Sequence, residues 1–259
     1  MQKQHYFAIG ISVFIFVLLY FGLDTIPPKQ KELEKSRSLQ LESTGNQNIL
    51  DKALESLDSE SKSIIEAINL DVENAQNDSL KIERLKNLAS SWYELGHPAV
   101  SAIYAEEIAE KIKDEPTWSI AGTTYMLGSR SAEDQKIKDF CSKRALRAFE
   151  MAISLAPDKV EPKINQALVF VDNPDKTNPM KGILMLRELQ EKYPKNTSIL
   201  NQLASLALKT NQIDKALERL QESLNIDPEN NFTICLLATA YEMAGDAQNE
   251  KIFRNQCKS

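Results

Sequence analysis

Small and helix-ending residues recur at an interval of 34 residues near the C-terminal end of this sequence. Residues 197–230 carry, in order, Ala204, Asn211, Ala216, Ser223 and Pro228. A shift of 34 residues brings Ala238, Tyr241 and Gly245 onto matching places in the next stretch. A period of this length is typical of a helix-turn-helix unit, which buries its apolar face only by stacking on its neighbours. The sequence therefore predicts an all-α fold, a solenoid of helical hairpins.

Composition and charge agree with this fold class and exclude others. The 259 residues include only 8 Gly and 10 Pro, and 7% are aromatic, which is sparse for a β-sandwich with its many turns. The apolar share of 42% and the charged share of 26% are those of an ordinary globular chain. Because the net charge is -6, the chain lacks the basic footprint of a nucleic-acid-binding protein, and we predict no nucleic-acid partner.

The clearest unit, residues 197–230, resembles the tetratricopeptide repeat (TPR). Its matching residues are Leu200, Leu203, Ala204, Ala207, Ala216, Leu220, Ser223, Leu224 and Pro228. TPR units place small residues where their two helices touch, bulky residues in the core, and a proline after the second helix. Earlier units carry Leu85, Leu88, Ala89, Trp92 and Gly96, then Trp118, Gly122, Tyr125, Ala145, Phe149, Ala152 and Pro157, then Gly182 and Pro194. The resemblance covers about residues 82–257 and implies a TPR solenoid of about four to five units.

The repeat is irregular in two places. The interval from Gly122 to Ala145 exceeds the usual one by about 11 residues, and this extra length, around residues 131–140, lengthens either a loop or a helix. In the next unit the stretch DNPDKTNPM adds about two or three residues, and the alignment of INQALVFV is ambiguous by one. At the end of the array, Glu250 and Arg254 occupy places where polarity indicates a solvent-facing cap.

An apolar segment precedes the repeats. Residues 6–23 carry no charge, and as a helix these eighteen residues would span about 27 Å, enough to cross a bilayer. Neither a run of small residues typical of signal cleavage nor a lipoprotein cysteine follows. We therefore predict an uncleaved N-terminal membrane anchor over residues 1–23, with a removed signal peptide or a buried helix as the alternatives.

The charges around this segment bear on its orientation. Lys3 precedes it, and the cations that follow are Lys29, Lys31, Lys35 and Arg37. Counting cations favours a cytoplasmic C-terminal domain, but nearby acids offset the second group and large domains often translocate regardless of charge. We predict a single-pass protein of a bacterial inner membrane with a periplasmic C-terminal domain.

The rest of the chain divides into three predicted parts. Residues 24–45 begin with a Pro-Pro pair that stops helix continuation and read as a polar linker. Residues 46–81 have helical periodicity without the repeat signature and are predicted to form a helical cap on the stack. Residues 82–259 are predicted to form the TPR solenoid.

Three cysteines constrain the covalent chemistry. Cys141, Cys235 and Cys257 form no CxxC pair and have no neighbouring histidine, so neither a zinc site nor a disulfide framework is indicated. At most one bridge can form. Because Cys235 lies in the apolar run ICLLA, the pattern favours a buried free thiol there.

Catalytic patterns are missing from the sequence. The two histidines are His5, beside the apolar segment, and His97, in a Gly-His-Pro turn that favours a solvated side chain. Nucleotide-binding loops, HExxH and calcium-loop patterns do not occur, so we predict no enzymatic activity, no cofactor and no metal site. Trp118 and Tyr125 fall on core places of the repeat and are predicted to be buried.

The resemblance to TPR proteins implies a concave groove lined by the first helix of each unit. The implied partner-binding residues are Lys86, Ser90, Tyr93, Ser119, Thr123, Met126, Asn201, Ser205 and Leu208. By contrast, Glu106, Glu110, Glu218 and Glu222 are predicted on the wet face of second helices. TPR domains that clamp acidic chaperone tails have an Asn where Ser90 follows Lys86 here, and they add Lys and Arg from the first helix of the third unit. The rest of that clamp is not recognisable in this sequence, so this partner class is not indicated.

Two functions fit these features. The first is a membrane-anchored scaffold or accessory subunit that binds another protein through the groove or the 131–140 insertion. Its N-terminal helix would insert into the lipid bilayer. Its layout resembles bacterial inner-membrane TPR accessory proteins that associate with the secretion translocon and periplasmic chaperones. The alternative is a structural envelope-assembly protein that associates with itself.

Overall fold

The computed structural model describes residues 45–258, which form twelve helices. The chain divides after Asp51 into two units. The described residues of the first unit, 45–51, are helical. The predicted anchor at residues 1–23 and nearly all of the predicted linker at residues 24–45 lie outside the described residues. No helix within residues 45–258 has both the length and the apolar character needed to cross a membrane.

The helices follow one another with short connections. Helix α1 covers residues 45–56. The others are α2 (Ser59–Glu73), α3 (Asp78–Glu94), α4 (Pro98–Ile112), α5 (Glu115–Ser131), α6 (Gln135–Leu155), α7 (Glu161–Asp172), α8 (Lys181–Lys192), α9 (Thr197–Lys209), α10 (Ile213–Ile226), α11 (Asn231–Ala244) and α12 (Ala247–Gln256). The segment for which a helical cap is predicted, residues 46–81, contains α1, α2 and the start of α3.

Helices α3 to α12 pack as five successive hairpins. The pairs α3–α4, α5–α6, α7–α8, α9–α10 and α11–α12 are in contact, and each second helix also contacts the first helix of the next pair. The first helices α5 and α7, and likewise α9 and α11, touch across the stack. This is the arrangement of a helical-repeat solenoid, as the 34-residue period predicts.

Side-chain caps set where the first helix of most pairs begins. Asn77, Asp114, Asn196 and Asn230 each accept a hydrogen bond from a backbone N–H in the first turn of the helix that follows. These caps satisfy N–H groups that the helix itself leaves without partners. At the other end of α11, Gly245 adopts φ 76°, a left-handed conformation that glycine tolerates without strain.

Small residues lie where the two helices of a hairpin approach most closely. A Cβ built on Gly122 of α5 would lie 2.7 Å from the Phe149 ring of α6, and one on Gly182 of α8 would lie 2.4 Å from the Ala167 carbonyl of α7. In the α9–α10 pair, Ala204 and Ala216 are both fully buried in one cluster. The predicted register is therefore confirmed, and the contact at Ala167 resolves the one-residue ambiguity in INQALVFV.

The extra residues of the second repeat lengthen a helix. Helix α6 runs for 21 residues from Gln135 to Leu155, and α5 reaches Ser131, so only residues 132–134 connect them. The 131–140 insertion thus consists of the last residue of α5, a tight connection and the first turns of α6.

The core is continuous through the middle of the array. Its largest cluster joins residues of α4 to α9, including Tyr125, Phe149, Leu186 and Ile199, all fully buried. Trp118 is 4% exposed in a smaller cluster beside it. The prediction that Trp118 and Tyr125 are core residues is confirmed.

Glu106 corrects one prediction. It is buried between α4, α5 and α6 rather than solvated: Tyr125 Oη donates to its Oε2 at 2.7 Å and Arg144 Nη1 to its Oε1 at 3.1 Å. The Arg147 guanidinium lies 3.9 Å away. A carboxylate is tolerated there because cationic and hydroxyl donors satisfy it. Burial and the negative charge of Glu106 raise the pKa of Tyr125 well above its usual value.

The cysteine prediction is also wrong in part. Cys235, half-buried on α11, forms a disulfide with Cys257, which directly follows α12. The two Cα atoms are 4.9 Å apart, within the range that a disulfide spans. The buried free thiol is Cys141 on α6, and burial raises its pKa to about 12.

Candidate partner-binding groove

A groove of about 510 Å³ opens between the first three helices of the repeat array. Its walls are α3 and α5, and α4 lies between them. The lining residues are Lys86, Ala89, Ser90, Tyr93 and Glu94 of α3, Ser101, Ala105 and Ile108 of α4, and Thr117, Ile120 and Thr124 of α5. Three helices from two successive hairpins therefore build one concave site.

The groove combines a small-residue floor with exposed apolar groups. Ala89, Ser101 and Ala105 are buried and have side chains of one to two heavy atoms, so they leave room for a bulky side chain of a partner. Tyr93 is 52% exposed and Ile120 is 59% exposed. When a partner covers large apolar side chains that are this exposed, the burial of their surface favours binding.

Charges lie only toward the two ends of the groove lining. Lys86 and Glu94 are separated by two turns of α3, about 12 Å along the helix axis. Asp114 is the N-cap of α5. Hydrogen bonds from Thr117 lower the pKa of the Asp114 carboxyl, and the positive charge of Lys86 lowers it by a smaller amount. The centre of the groove between these ends is lined by uncharged side chains.

Of the predicted groove residues, those on α3 line this groove. Lys86, Ser90 and Tyr93 are all exposed and fall on its α3 wall. Sequence reasoning missed Thr117, Ile120 and Thr124, the residues that α5 contributes. Their spacing of three and four residues is a helical stripe in the sequence, and this spacing was the available signal.

The predicted residues of α5 face elsewhere. Ser119 and Thr123 are half-buried, and their hydroxyls donate to Glu115 Oε1 at 2.7 Å and to the Ser119 carbonyl at 2.8 Å. Met126 is 5% exposed and packs in the core cluster that includes Ile164 of α7. Met126 therefore contributes to stacking of the repeats and not to an open surface.

The predicted residues of α9 are likewise largely inside the protein. Asn201 is buried, and its amide exchanges hydrogen bonds with the Thr233 hydroxyl of α11 at 2.9 and 3.1 Å. Leu208 is buried in the cluster shared by α9, α10 and α11, and Ser205 is half-buried. Asn201 and Leu208 do not line an open groove because α11 packs against this side of α9.

His97 is half-buried and not a solvated turn residue. Its ring packs edge-on against Trp92, and its Nε2 lies 3.3 Å from Ser56 Oγ. The Ser56 hydroxyl also lies 2.7 Å from the Ala53 carbonyl oxygen. Burial lowers the pKa of His97.

A family model described as the coatomer epsilon subunit matches residues 166–258, from the middle of α7 to the residues that follow α12. No curated protein matches the sequence. The residues that line the α3–α5 groove lie outside this matched region.

Several solved structures resemble the chain. A thermophilic TPR protein of Thermus thermophilus aligns with a TM-score of 0.50 and 19% identity, over 77% of this chain and 98% of that one. A TPR protein from Parabacteroides merdae ATCC 43184 aligns with a TM-score of 0.48 and 13% identity, over 82% and 78%. MamA from Desulfovibrio magneticus RS-1 aligns with a TM-score of 0.40 and 17% identity, over 70% and 93%. The likeness to the Thermus protein, together with the hairpin stack, shows that this chain is a TPR-like helical-repeat protein.

Proposed function

We propose that this protein is a non-catalytic scaffold that binds a segment of another protein in the α3–α5 groove. The observation that carries the proposal is the groove itself, with a floor of small residues and with Tyr93 and Ile120 both more than half exposed. Tyrosine is enriched among residues that dominate binding energy at protein interfaces. A partner side chain that fills the space above Ala89 and Ala105 would remove apolar surface from water on both sides.

The character of the groove favours a protein segment over a charged small molecule. The Ser90 hydroxyl can pair with a peptide backbone. The Thr117 and Thr124 hydroxyls donate to Asp114 Oδ1 and to the Ile120 carbonyl, and their oxygens can accept from peptide N–H groups. Desolvating these groups costs less than desolvating carboxylates. Single charges at the two ends, Lys86 and Glu94, provide no concentrated field for an ion.

We further propose that residues 6–23 anchor the scaffold in a membrane, with the repeats on the oxidising side. The disulfide between Cys235 and Cys257 supports this side, because disulfides persist in secreted and periplasmic proteins and are rare in the cytosol. In a bacterium that side is the periplasm. An accessory subunit of an envelope complex fits this placement, and the secretion translocon is one candidate on the basis of layout alone.

Site-specific cross-linking in native membranes tests the binding proposal. A photoreactive residue at Tyr93 is expected to capture a partner in the full-length protein. The variant Ser90→Trp fills the groove from an exposed position and should abolish this capture. Its matched control, Glu83→Trp, lies on an exposed face of the same helix outside the groove lining and should leave capture intact.

The cross-linked species also separates the two functions. Cross-linking of a different protein to the photoreactive residue at position 93 supports the scaffold function. Cross-linking of a second copy of this chain there would indicate the self-associating alternative. Capture that Ser90→Trp leaves unchanged would mean that the partner does not use the groove.

A further inference from the structure

One buried hydroxyl in the α3–α5 groove has no hydrogen-bond partner within residues 45–258. Eight Ser, Thr, Asn, Glu or Arg residues of this range are buried, and seven of them make side-chain hydrogen bonds. The exception is Ser101 of α4, which is 4% exposed and lines the groove. Because buried polar groups are nearly always paired, a hydroxyl left unpaired at a candidate binding site requires an explanation.

The other buried serines show what Ser101 lacks. Ser129 of α5 and Ser142 of α6 pair with each other, with their Oγ atoms 2.9 Å apart. Ser223 Oγ of α10 lies 3.0 Å from Thr233 Oγ1 of α11. In each case a neighbouring helix supplies the partner. Ser101 borders the open groove, so its hydroxyl is available to a molecule that enters there.

Ser101 lies at one end of the groove floor. Only residues 95–97 connect α3 to α4, so the start of α4 lies beside the end of α3, which carries Tyr93 and Glu94. From Ser101 the floor continues along α4 through Ala105 to Ile108, about one helical turn at each step. The floor is therefore polar at the Tyr93 end and apolar beyond it.

The apolar part of the floor favours an aromatic ring as the occupant. Ala89 of α3 and Ala105 of α4 contribute only a methyl group each, and both are buried. Tyr93 follows Ala89 by one turn on the same face of α3, and its ring is half exposed. Aromatic rings pack favourably against one another. A ring of the partner can therefore cover both alanines and contact Tyr93.

A partner that covers this floor also seals Ser101 from water. A hydroxyl that is sealed without a partner carries the cost of an unmade hydrogen bond. A leucine or phenylalanine side chain of the partner leaves that cost in place, whereas a side chain with a polar tip removes it. An acidic tip is disfavoured because Glu94 lines the same end of the groove. The tip that fits is a neutral O–H or N–H donor.

We infer that the protein segment bound in the α3–α5 groove inserts a tyrosine or tryptophan side chain, whose O–H or N–H donates to Ser101 Oγ. This inference rests on the groove being the partner site, and it specifies the side chain that fills the groove. The ring lies over Ala89 and Ala105, and its polar tip points toward the start of α4. Ser101 thereby selects a donor-bearing ring, because a site built for a hydrogen bond rejects the analogue that lacks it.

Peptide selection on the full-length protein in detergent tests this inference. Random peptides displayed on phage are selected on the parent protein, and those that also bind Ser90→Trp, in which the groove is filled, are discarded. We expect the remaining peptides to share a Tyr or a Trp. Replacing that Tyr by Phe, or that Trp by naphthylalanine, removes only the donor and should weaken binding to the parent about tenfold. In Ser101→Ala the two peptides of each pair should bind within about twofold of each other.

Two controls separate recognition by Ser101 from a structural role. Ser90→Ala removes an exposed hydroxyl from the same groove, and it should weaken both peptides of a pair equally, so that the preference for the donor stays about tenfold. Ser101→Ala should unfold at the same urea concentration as the parent, because its hydroxyl has no partner within residues 45–258 to lose. Ser142→Ala, which loses the bond to Ser129, should unfold at a lower urea concentration.

The outcomes distinguish this inference from the groove proposal. Groove-dependent peptides anchored by Leu or Phe, or a donor preference that survives Ser101→Ala, would overturn the inference and leave the groove proposal standing. A lower urea midpoint for Ser101→Ala would show that the protein itself engages the hydroxyl, and it would overturn the inference as well. Recovery of no groove-dependent peptide would contradict the groove proposal, and this inference with it.

Discussion

The second and the last hairpins of the array are held together by different means. In the α5–α6 pair both helices bury many residues, and Tyr125 and Phe149 are fully enclosed. In the α11–α12 pair, α12 contributes no fully buried residue. The α5–α6 pair has neighbours on both sides, whereas nothing among the described residues stacks beyond α12.

Polar and covalent contacts replace burial at the C-terminal end. The disulfide joins Cys235 of α11 to Cys257, and Asn231 makes two hydrogen bonds of 2.8 Å with the Lys258 backbone. Tyr241 and Phe253 stack with ring centroids 5.5 Å apart. The comparison teaches that stacking supplies stability inside a repeat array, while its last helix needs local fastening.

Removing a central aromatic ring should have the largest effect on this contrast. Phe149→Ala leaves a cavity between α5 and α6 and should lower the free energy of unfolding by about 3–5 kcal/mol. Phe253→Ala removes the same side chain from half-buried surroundings on α12 and should cost less than half as much. Urea denaturation of the full-length protein in detergent, followed by circular dichroism, measures both. Equal losses would remove the proposed difference between the hairpins.

The buried carboxylate of the central region should have the next largest effect. Glu106→Ala leaves the Arg144 guanidinium and the Tyr125 hydroxyl without this acceptor, at a cost of about 3 kcal/mol. Glu110→Ala, one helical turn further on and exposed, should change stability by less than about 0.5 kcal/mol. If the two variants unfold at the same urea concentration, the Glu106 contacts contribute nothing to the stability of this region.

Reduction of the disulfide should act locally and more weakly. The bond closes a loop with a sequence separation of 22 residues, for which chain entropy gives about 3 kcal/mol as an upper value. Hydrogen exchange measured with and without reductant should quicken for amides of α11 and α12 and stay unchanged in α5 and α6. Cys235→Ser and Cys257→Ser should both behave like the reduced protein. Faster exchange throughout the domain would show that the C-terminal fastening supports the whole array.

The smallest effect is expected from the ion pairs that Arg254 of α12 makes with Glu242 of α11 and with Glu250 of its own helix. Arg254 donates to Glu242 Oε2 and to Glu250 Oε1, both at 2.6 Å, but all three side chains are partly exposed. Surface pairs of this kind contribute little to stability. Arg254→Ala should leave the urea midpoint within experimental scatter, and a shift as large as that of reduction would show that these pairs fasten the helix.

The sequence predicts those features that depend on short-range spacing. Small residues such as Ala204 and Ala216 mark helix contacts because the approach within a hairpin is set by residues about 12 apart in the repeat. Caps such as Asn196 are local for the same reason. The same register predicts which residues of α3 face the groove, and Lys86, Ser90 and Tyr93 do line it.

Features that depend on distant residues were missed. The burial of Glu106 requires Arg144, 38 residues later, to supply a cation. Asn201 is buried because Thr233, 32 residues later, satisfies its amide. The pairing of Cys235 requires α12 to return Cys257 to the start of α11. None of these contacts can be read from helical periodicity, because each joins residues that are at least 22 positions apart in the sequence.

Cross-linking from two adjacent residues of α5 tests the central functional claim most directly. Ile120 lines the α3–α5 groove, whereas Ser119 does not line it and is half-buried. Photoreactive residues are placed at each position in turn in the full-length protein in native membranes. Our account predicts capture of a partner protein from residue 120, abolished by Ser90→Trp, and little capture from residue 119. Equal capture from both positions, or capture from residue 119 alone, would contradict a partner seated in the groove.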